Sequence, residues 1–309
     1  MLKGLNYSQY LTKSRALLLC LSSLVFVSVF SSGCSNSTSS PGAGVDPNRI
    51  VVLGSDTMEE LVRTWANGFM TGNPGIQVTV SSGDTGVGIK DLIEGKIDVA
   101  SASRELTEAE NKLAHEKKEH LTRVMVARDS IAVIVNPQNK LEEIGLDDLR
   151  RIYKGEIKTW DKMVKELKVS EPIRVFGREA TSGTSSYFHE HIMTDATFDP
   201  DVKLMPSSEA VIGGVFGNRL AIGFVGMSQA EKAADKVKIL KLALHTEAPD
   251  QVPKDSSVGE LSMDSYPLSR PLYLFFKTNQ KERIQKFIDY TRSEQGRKAV
   301  HDMGFMPIP

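Results

Sequence analysis

The chain has 309 residues, enough to bury a large core and to divide into two domains. With 40% hydrophobic and 25% charged residues it has a globular composition, which excludes a fibrous or extensively disordered protein. A formal net charge of −1 supplies no cationic field for nucleic acid, so none is expected as a partner.

Lys3, Lys13 and Arg15 precede an apolar stretch from Ala16 to Phe30, and Ser31-Ser32-Gly33-Cys34 follows. A basic start, a short apolar segment and small residues before a cut mark a secretory signal over residues 1–33. The apolar stretch falls short of the roughly 20 residues a membrane-spanning helix needs. Cys20 would leave with the signal, and Cys34 would be the lone thiol of the mature chain, which excludes a disulfide framework. Its setting resembles the lipobox of bacterial lipoproteins, with Ser31 where that pattern usually has Leu. The resemblance implies a lipid anchor on Cys34. Residues 34–48 then read as a Ser/Gly/Pro tether. Removal of the signal takes three basic and no acidic residues, so the mature chain, with 35 basic against 39 acidic, is slightly anionic.

Past the tether, "RIVVLGS" is a strand ending at Gly54-Ser55. Met58, Leu61, Val62, Trp65, Ala66 and Phe69 recur at helical spacing and predict an amphipathic helix from about Thr57. Asn73-Pro74-Gly75 breaks the chain. Ile76, Val78 and Val80 alternate as a strand, and a short helix carries Ile89, Leu92 and Ile93 on one face. "IDVASAS" is a further strand, and residues 107–119 form a charged helix. This β-turn-α succession predicts a parallel sheet covered by helices. Val124–Pro137 is long for one strand and reads as a crossover between lobes. A second α/β set follows: the helix "LDDLRRIYKG", the strand "IRVFG", a helix after Gly183 and the strand "RLAIGFVG". Tyr266–Phe276 suits a crossing back. Two helices close the chain, with Ile284, Phe287, Ile288 and Tyr290 turned mostly inward.

Three turns after strands share one chemistry. In "GSDTM" (54–58), Asp56 or Thr57 suits a helix cap above unpaired first-turn amides. In "GDTGVG" (83–88) the glycines let backbone amides approach an anion. Ile89, Lys90 and Asp91 follow where a nucleotide-binding P-loop needs Lys and then Ser or Thr, so that motif is excluded. In "GREATSGTSSYF" (177–188), Arg178 offers a planar fork of five donors, and Ser182, Gly183 and Thr184 open a helix. "ASASRE" adds Ser103 and Arg104. All four lie at carboxyl ends of strands, where open α/β sheets bind ligands. A small oxyanion held by local hydrogen bonds suits this set, each bond to a charged group contributing about 1.5–3 kcal/mol.

"GSDTM…LVRTWANGF", "GDTGVGIKDLIEGKIDVASASREL", "DSIAVIVNP", "IYKGEIKTW", "IRVFGREATSGTSSYF" and "RLAIGFVG" occur in the order seen in PstS-type phosphate-binding proteins, the extracytoplasmic receptors of phosphate ABC importers. The resemblance runs from Asn48 to Pro309. It implies a two-lobed type II periplasmic-binding-protein fold, each lobe a mainly parallel α/β sheet flanked by helices, joined by two crossover strands. The expected division is 49–132 plus 266–309 for the first lobe and 133–265 for the second. The lobes are expected to close on phosphate by hinge motion. The Arg-x-x-x-Ser-Gly-Thr motif of the family carries over to Arg178, Ser182, Gly183 and Thr184. The first loop contributes Ser55 and Thr57, and the second Thr85 and Gly86. Some members have Asp at Ser103, where it accepts the proton of hydrogen phosphate; this chain has Ser103-Arg104, as another branch does. Asp129 is then the first candidate acceptor, with Asp56 and Asp84 behind it. The expected partners are inorganic phosphate, membrane permease subunits and the membrane through Cys34, with the receptor itself a monomer. No cofactor is expected.

Other functions compete. A receptor for sulfate, molybdate or tungstate needs similar donors, and a sensory or adhesive protein can reuse the fold. A hydrolase built on Ser182 and His189 fails on distance, since seven helical residues separate them by roughly 10.5 Å. "HEH" (189–191) puts its histidines on different helix faces, whereas the zinc motif needs them four apart, so no metal is expected.

Overall fold

The computed structural model describes residues 46–163, 171–243 and 266–308. The expected signal segment, Cys34 and residues 35–45 of the tether lie outside these, as do 164–170 and 244–265 of the expected second lobe. In chain order the first elements are β1 (Arg49–Ser55), α1 (Glu59–Gly72), β2 (Gln77–Gly83), α2 (Thr85–Ile93), β3 (Val99–Ala102) and α3 (Glu108–Glu116). β4 (Leu121–Val135), β5 (Glu143–Gly145), α4 (Leu146–Tyr153), β6 (Arg174–Arg178), α5 (Gly183–Phe188), β7 (Lys203–Met205) and α6 (Ser208–Phe216) follow. The remainder is β8 (Ala221–Gly226), α7 (Met227–Lys232), β9 (Lys238–Ile239), β10 (Lys241–Ala243), β11 (Ser269–Lys277), α8 (Lys281–Thr291), α9 (Glu294–Asp302) and β12 (Met306–Pro307).

One sheet runs in the order β2-β1-β3-β11-β4-β8-β6-β7, with β9 and β12 both paired to β4. β1 lies parallel to β2 and β3, and β6 lies parallel to β7 and β8. Between these two parallel blocks run β11 and β4, antiparallel to each other and to their outer neighbours. β4 changes partner midway: Leu121–Ser130 face β11, and Ile131–Val135 face β8.

Alternation explains how each block acquires two covered faces. On β11, Leu272, Leu274 and Phe276 join Ile50, Val52, Trp65 and Phe69 under α1 and α8, while Tyr273 and Phe275 point to the α2 side with Ile89 and Leu92. On β4, Ile131, Val133 and Val135 pack with Tyr153, Trp160, Phe188 and Phe224, while Ala132 and Ile134 meet Val211 and Val215 of α6. Each Val, Leu, Ile or Phe among them contributes about 1.5–3 kcal/mol on full burial. Strands buried on both faces are what parallel blocks require. Trp65 and Trp160 are fully buried in separate cores, each donating its indole N–H to a carbonyl, Gly296 and Leu220 respectively.

Several boundaries differ from expectation. α1 begins at Glu59 because Asp56–Met58 wind as a 3-10 turn, and the Ser55 side chain makes no capping bond to it. α3 stops at Glu116 but has a full capping box between Thr107 and Glu110. The return strand starts at Ser269, and the chain continues beyond the last helix into β12. α5 passes into a π-helical turn, His189–Met193. There His191 stacks on Tyr187 and His189 lies against Phe198. Among the described residues no helix is long and apolar enough to cross a membrane.

Candidate functional site

β1 and β3 run parallel and end side by side, with Gly54 in register with Ser101. Gly54 has φ 155°, and a Cβ there would lie 2.0 Å from the Ser101 carbonyl oxygen, so only glycine lets the strands meet this closely. The turn that follows carries Ser55 and Thr57, both buried; Ser55 Oγ has no hydrogen-bond partner among the described residues. On α2, Thr85 Oγ1 accepts from the Ser103 amide at 3.2 Å and sits 3.4 Å from Ser103 Oγ.

The second block meets this surface through the start of α5. Thr184 Oγ1 lies 3.3 Å from Thr57 Oγ1. A Cβ on Gly183 would come within 2.4 Å of both Ser103 Oγ and Thr85 Oγ1, so this position tolerates no side chain. The Gly86 amide donates to the Thr181 carbonyl at 3.0 Å. Ser182 caps α5 by accepting from the Ser185 amide, which leaves its own hydroxyl hydrogen to donate elsewhere. The structure therefore gathers Ser55, Thr57, Thr85, Gly86, Ser103, Ser182, Gly183 and Thr184 from four chain segments onto one seam.

The two expected arginines are not open forks here; both are engaged by protein acceptors. All five Arg178 donors meet protein acceptors. Nη1 donates to Asp56 Oδ2 at 2.7 Å and Ser208 Oγ at 3.0 Å. Nη2 donates to Asp84 Oδ1 at 2.7 Å and the Pro206 carbonyl at 3.1 Å, and Nε donates to the Met205 carbonyl at 3.2 Å. Its side chain is wholly buried, and those of Asp56 and Asp84 are 12% and 11% exposed. Arg178 is thus a clasp between the blocks. Arg104 packs beside Gly86, but Nη1 and Nη2 both donate to Glu110 of the α3 capping box, at 2.7 and 2.8 Å.

Asp56 and Asp84 are placed by the same clasp. Asp56 Oδ2 accepts from the Ser208 amide at 3.0 Å, so it caps α6 across the seam rather than its own turn. Asp84 Oδ2 accepts from the Thr181 hydroxyl at 2.7 Å. Burial pushes the Asp84 carboxyl above its ordinary range, opposed by the Thr181 hydrogen bond and the Arg178 charge.

Asp129 is fully buried where β4 changes partner, and Arg270 stands directly opposite it on β11. Arg270 Nη2 and Nε donate to Asp129 Oδ2 at 2.8 and 3.3 Å. Arg270 also donates to Thr184 Oγ1 at 2.9 Å and to Thr57 Oγ1 at 3.2 Å. Burial raises the Asp129 pKa, and the Arg270 charge opposes that rise. Asp129 Oδ1 makes no hydrogen bond of good geometry among the described residues. Sequence reasoning missed Arg270 because "YPLSRPLYLFF" reads as an apolar crossing strand. The available signal was a guanidinium set inside that strand, which needs a buried partner.

Two α/β lobes joined by antiparallel strands, with hydrogen-bonding side chains lining their seam, define a type II periplasmic-binding-protein fold. The PBP superfamily domain model matches residues 41–295, and the chain belongs to that superfamily. The chain is 28% identical over 266 residues to the phosphate-binding protein PstS of Staphylococcus haemolyticus, covering 83% of this chain and 80% of the relative. It is 27% identical over 281 residues to PstS of Pseudomonas aeruginosa, covering 86% and 85%. A Clostridium perfringens structure assigned as a phosphate ABC transporter substrate-binding protein, with phosphate bound, superposes with TM-score 0.71 at 26% identity over 85% of this chain and 100% of that one. An ABC-type phosphate transport receptor from Vibrio cholerae gives 0.62 at 25% identity, covering 84% and 100%. The resemblance to PstS-type proteins read from the motifs thus extends along the chain and through the fold.

Proposed function

We propose that this protein captures inorganic phosphate in the seam between its lobes and delivers it to the permease of an ABC importer, without catalysing a reaction. The observation that carries this is the convergence of buried hydroxyls from four segments onto one seam, in a family whose relatives above are phosphate receptors. Ser55, Thr57, Thr85, Ser103, Ser182 and Thr184 supply O–H donors, and the backbone at Gly183 allows close approach. Hydrogen bonds to a charged ligand at about 1.5–3 kcal/mol each suffice for tight binding without a bulk positive field. Arg178 and Arg104 act as braces that hold the donors in place. Asp129 is the proposed acceptor for a phosphate O–H, which sulfate lacks in its fully ionised form.

The lobes divide at 132/133 and 265/266 in this proposal, with β4 and β11 as the hinge. Export behind the signal and lipidation of Cys34 would hold the receptor, as a monomer, on the outer face of a bacterial membrane. Both tryptophans are buried in lobe cores, so calorimetry is the better readout of binding. Titration of the purified chain should give a saturable phosphate signal at low micromolar concentration and none with equimolar sulfate, molybdate or tungstate. Equal heats with sulfate would overturn the assignment.

A further inference from the structure

Arg270 occupies a position with no counterpart in the donor set above. It lies on β11, in register with Asp129 on β4, at the pair of strands that joins the two blocks. Its guanidinium is fully buried and touches both sides of the seam at once, Thr57 from the turn after β1 and Thr184 from α5. Asp129 holds the other edge of the fork.

The direction of these bonds has a chemical consequence. Arginine can only donate, so each threonine oxygen must accept from it. A hydroxyl whose oxygen accepts from a cation turns its own hydrogen away and becomes a stronger donor through polarisation. Thr57 and Thr184 stand 3.3 Å apart, so only one of them can donate to the other, and both hydrogens can point to a shared acceptor instead. Such an acceptor needs two lone pairs, and an oxygen carrying negative charge draws most from polarised donors. Because the two threonines belong to different lobes, Arg270 bonds both only when the lobes are together.

We propose that Arg270 is a positioning residue for the oxyanion: from the hinge it orients the hydroxyls of Thr57 and Thr184 as a matched pair of donors and so ties ligand binding to lobe closure. This rests on the phosphate-receptor reading and adds to it a residue that acts through two others. Asp129 keeps the guanidinium in plane and offsets its charge, so the anion meets polarised hydroxyls rather than a bare cation.

The test is a set of calorimetric titrations with inorganic phosphate on the full mature chain, using R270Q, R270K, T57V, T184V and each threonine variant combined with R270Q. In the otherwise native chain, T57V and T184V should each weaken binding by about tenfold. In the R270Q background each should cost less than about threefold, because the donors are no longer oriented. R270K, which keeps a cation able to donate, should restore part of the R270Q loss. Native affinity in R270Q, or threonine losses that multiply in full with the R270Q loss, would overturn the proposal, since a merely structural arginine gives independent effects. If R270Q does not fold, the same cycle on R270K decides by the same criterion. A native chain that gives no heat with phosphate overturns the functional reading and this inference together. A native chain that binds phosphate but shows multiplicative losses overturns only the inference.

Discussion

Arg178 and Arg270 both bury their guanidinium groups completely, yet Arg178 meets two carboxylates and Arg270 meets one. Around Arg178, Asp56 and Asp84 come from the first block and the arginine from the tip of β6, so two donors join the blocks while the other three go to Ser208, Pro206 and Met205 on its own side. Around Arg270, the single carboxylate sits across the strand pair and the remaining donors go to two hydroxyls. Two carboxylates and three neutral oxygens together make the first region a clasp that has no donors left for an anion. Charge balance makes the second a place where hydroxyls can face one. The count of carboxylates, more than burial, separates the two roles.

The largest expected effect breaks the clasp. Arg178→Ala leaves Asp56 and Asp84 buried without their cation, and loss of one partner of a buried pair costs about 3–5 kcal/mol. Urea unfolding should report that loss, and phosphate affinity should fall at least tenfold (about 1.4 kcal/mol) because the lobes no longer lock. An unchanged urea midpoint would remove Arg178 from the clasp. Gly183→Ala probes the other region: its Cβ would strike the Thr85 and Ser103 hydroxyl oxygens, and overpacking of this kind costs about 1–3 kcal/mol. Phosphate binding should weaken more than the melting temperature shifts.

Asp84→Asn sharpens the comparison by bringing the clasp to one carboxylate. Burial raises the Asp84 pKa above its ordinary 3.8, so the folded chain holds that proton more tightly than the unfolded chain. The stability this contributes is complete below the ordinary value and is lost as pH rises through the raised one. Urea midpoints from about pH 3 to pH 7 should therefore fall less steeply with rising pH, or climb more steeply, in Asp84→Asn than in the native chain. Parallel curves for the two proteins would show that Asp84 does not titrate in this window. The smallest effect belongs to the Lys232–Glu60 pair, which bridges α7 and α1 on the surface with side chains 43% and 68% exposed. Lys232→Ala should change stability by less than about 1 kcal/mol, and added salt should erase the difference.

Much of this was readable from local patterns. Ile50 and Val52, Leu272 and Leu274, and the i, i+3, i+4 spacing of Met58, Leu61 and Val62 fall on the faces their periodicity assigns, because the nearest packing partner is set by side-chain direction alone. The loops at 54–57, 83–86 and 182–184 follow strands and meet as expected for open α/β sheets. Short strands such as β7, β9 and β12 carried no usable period, being two or three residues long and only partly buried. Within "GREATSGTSSYF" the cap on α5 was legible, but the use of Arg178 was not.

What the amino-acid order determined by itself was which residues bear donors and which end of each strand presents them, since both follow from side-chain chemistry and short-range geometry. Only the tertiary structure decided which cation goes with which anion. Arg178 finds Asp56 and Asp84 at separations of 122 and 94 residues, and Arg270 finds Asp129 at 141. Those pairings depend on β4 and β11 lying side by side in one register and on the lobes meeting along the seam. Electrostatic partnership is set by distance in space, and no local pattern along the chain encodes it.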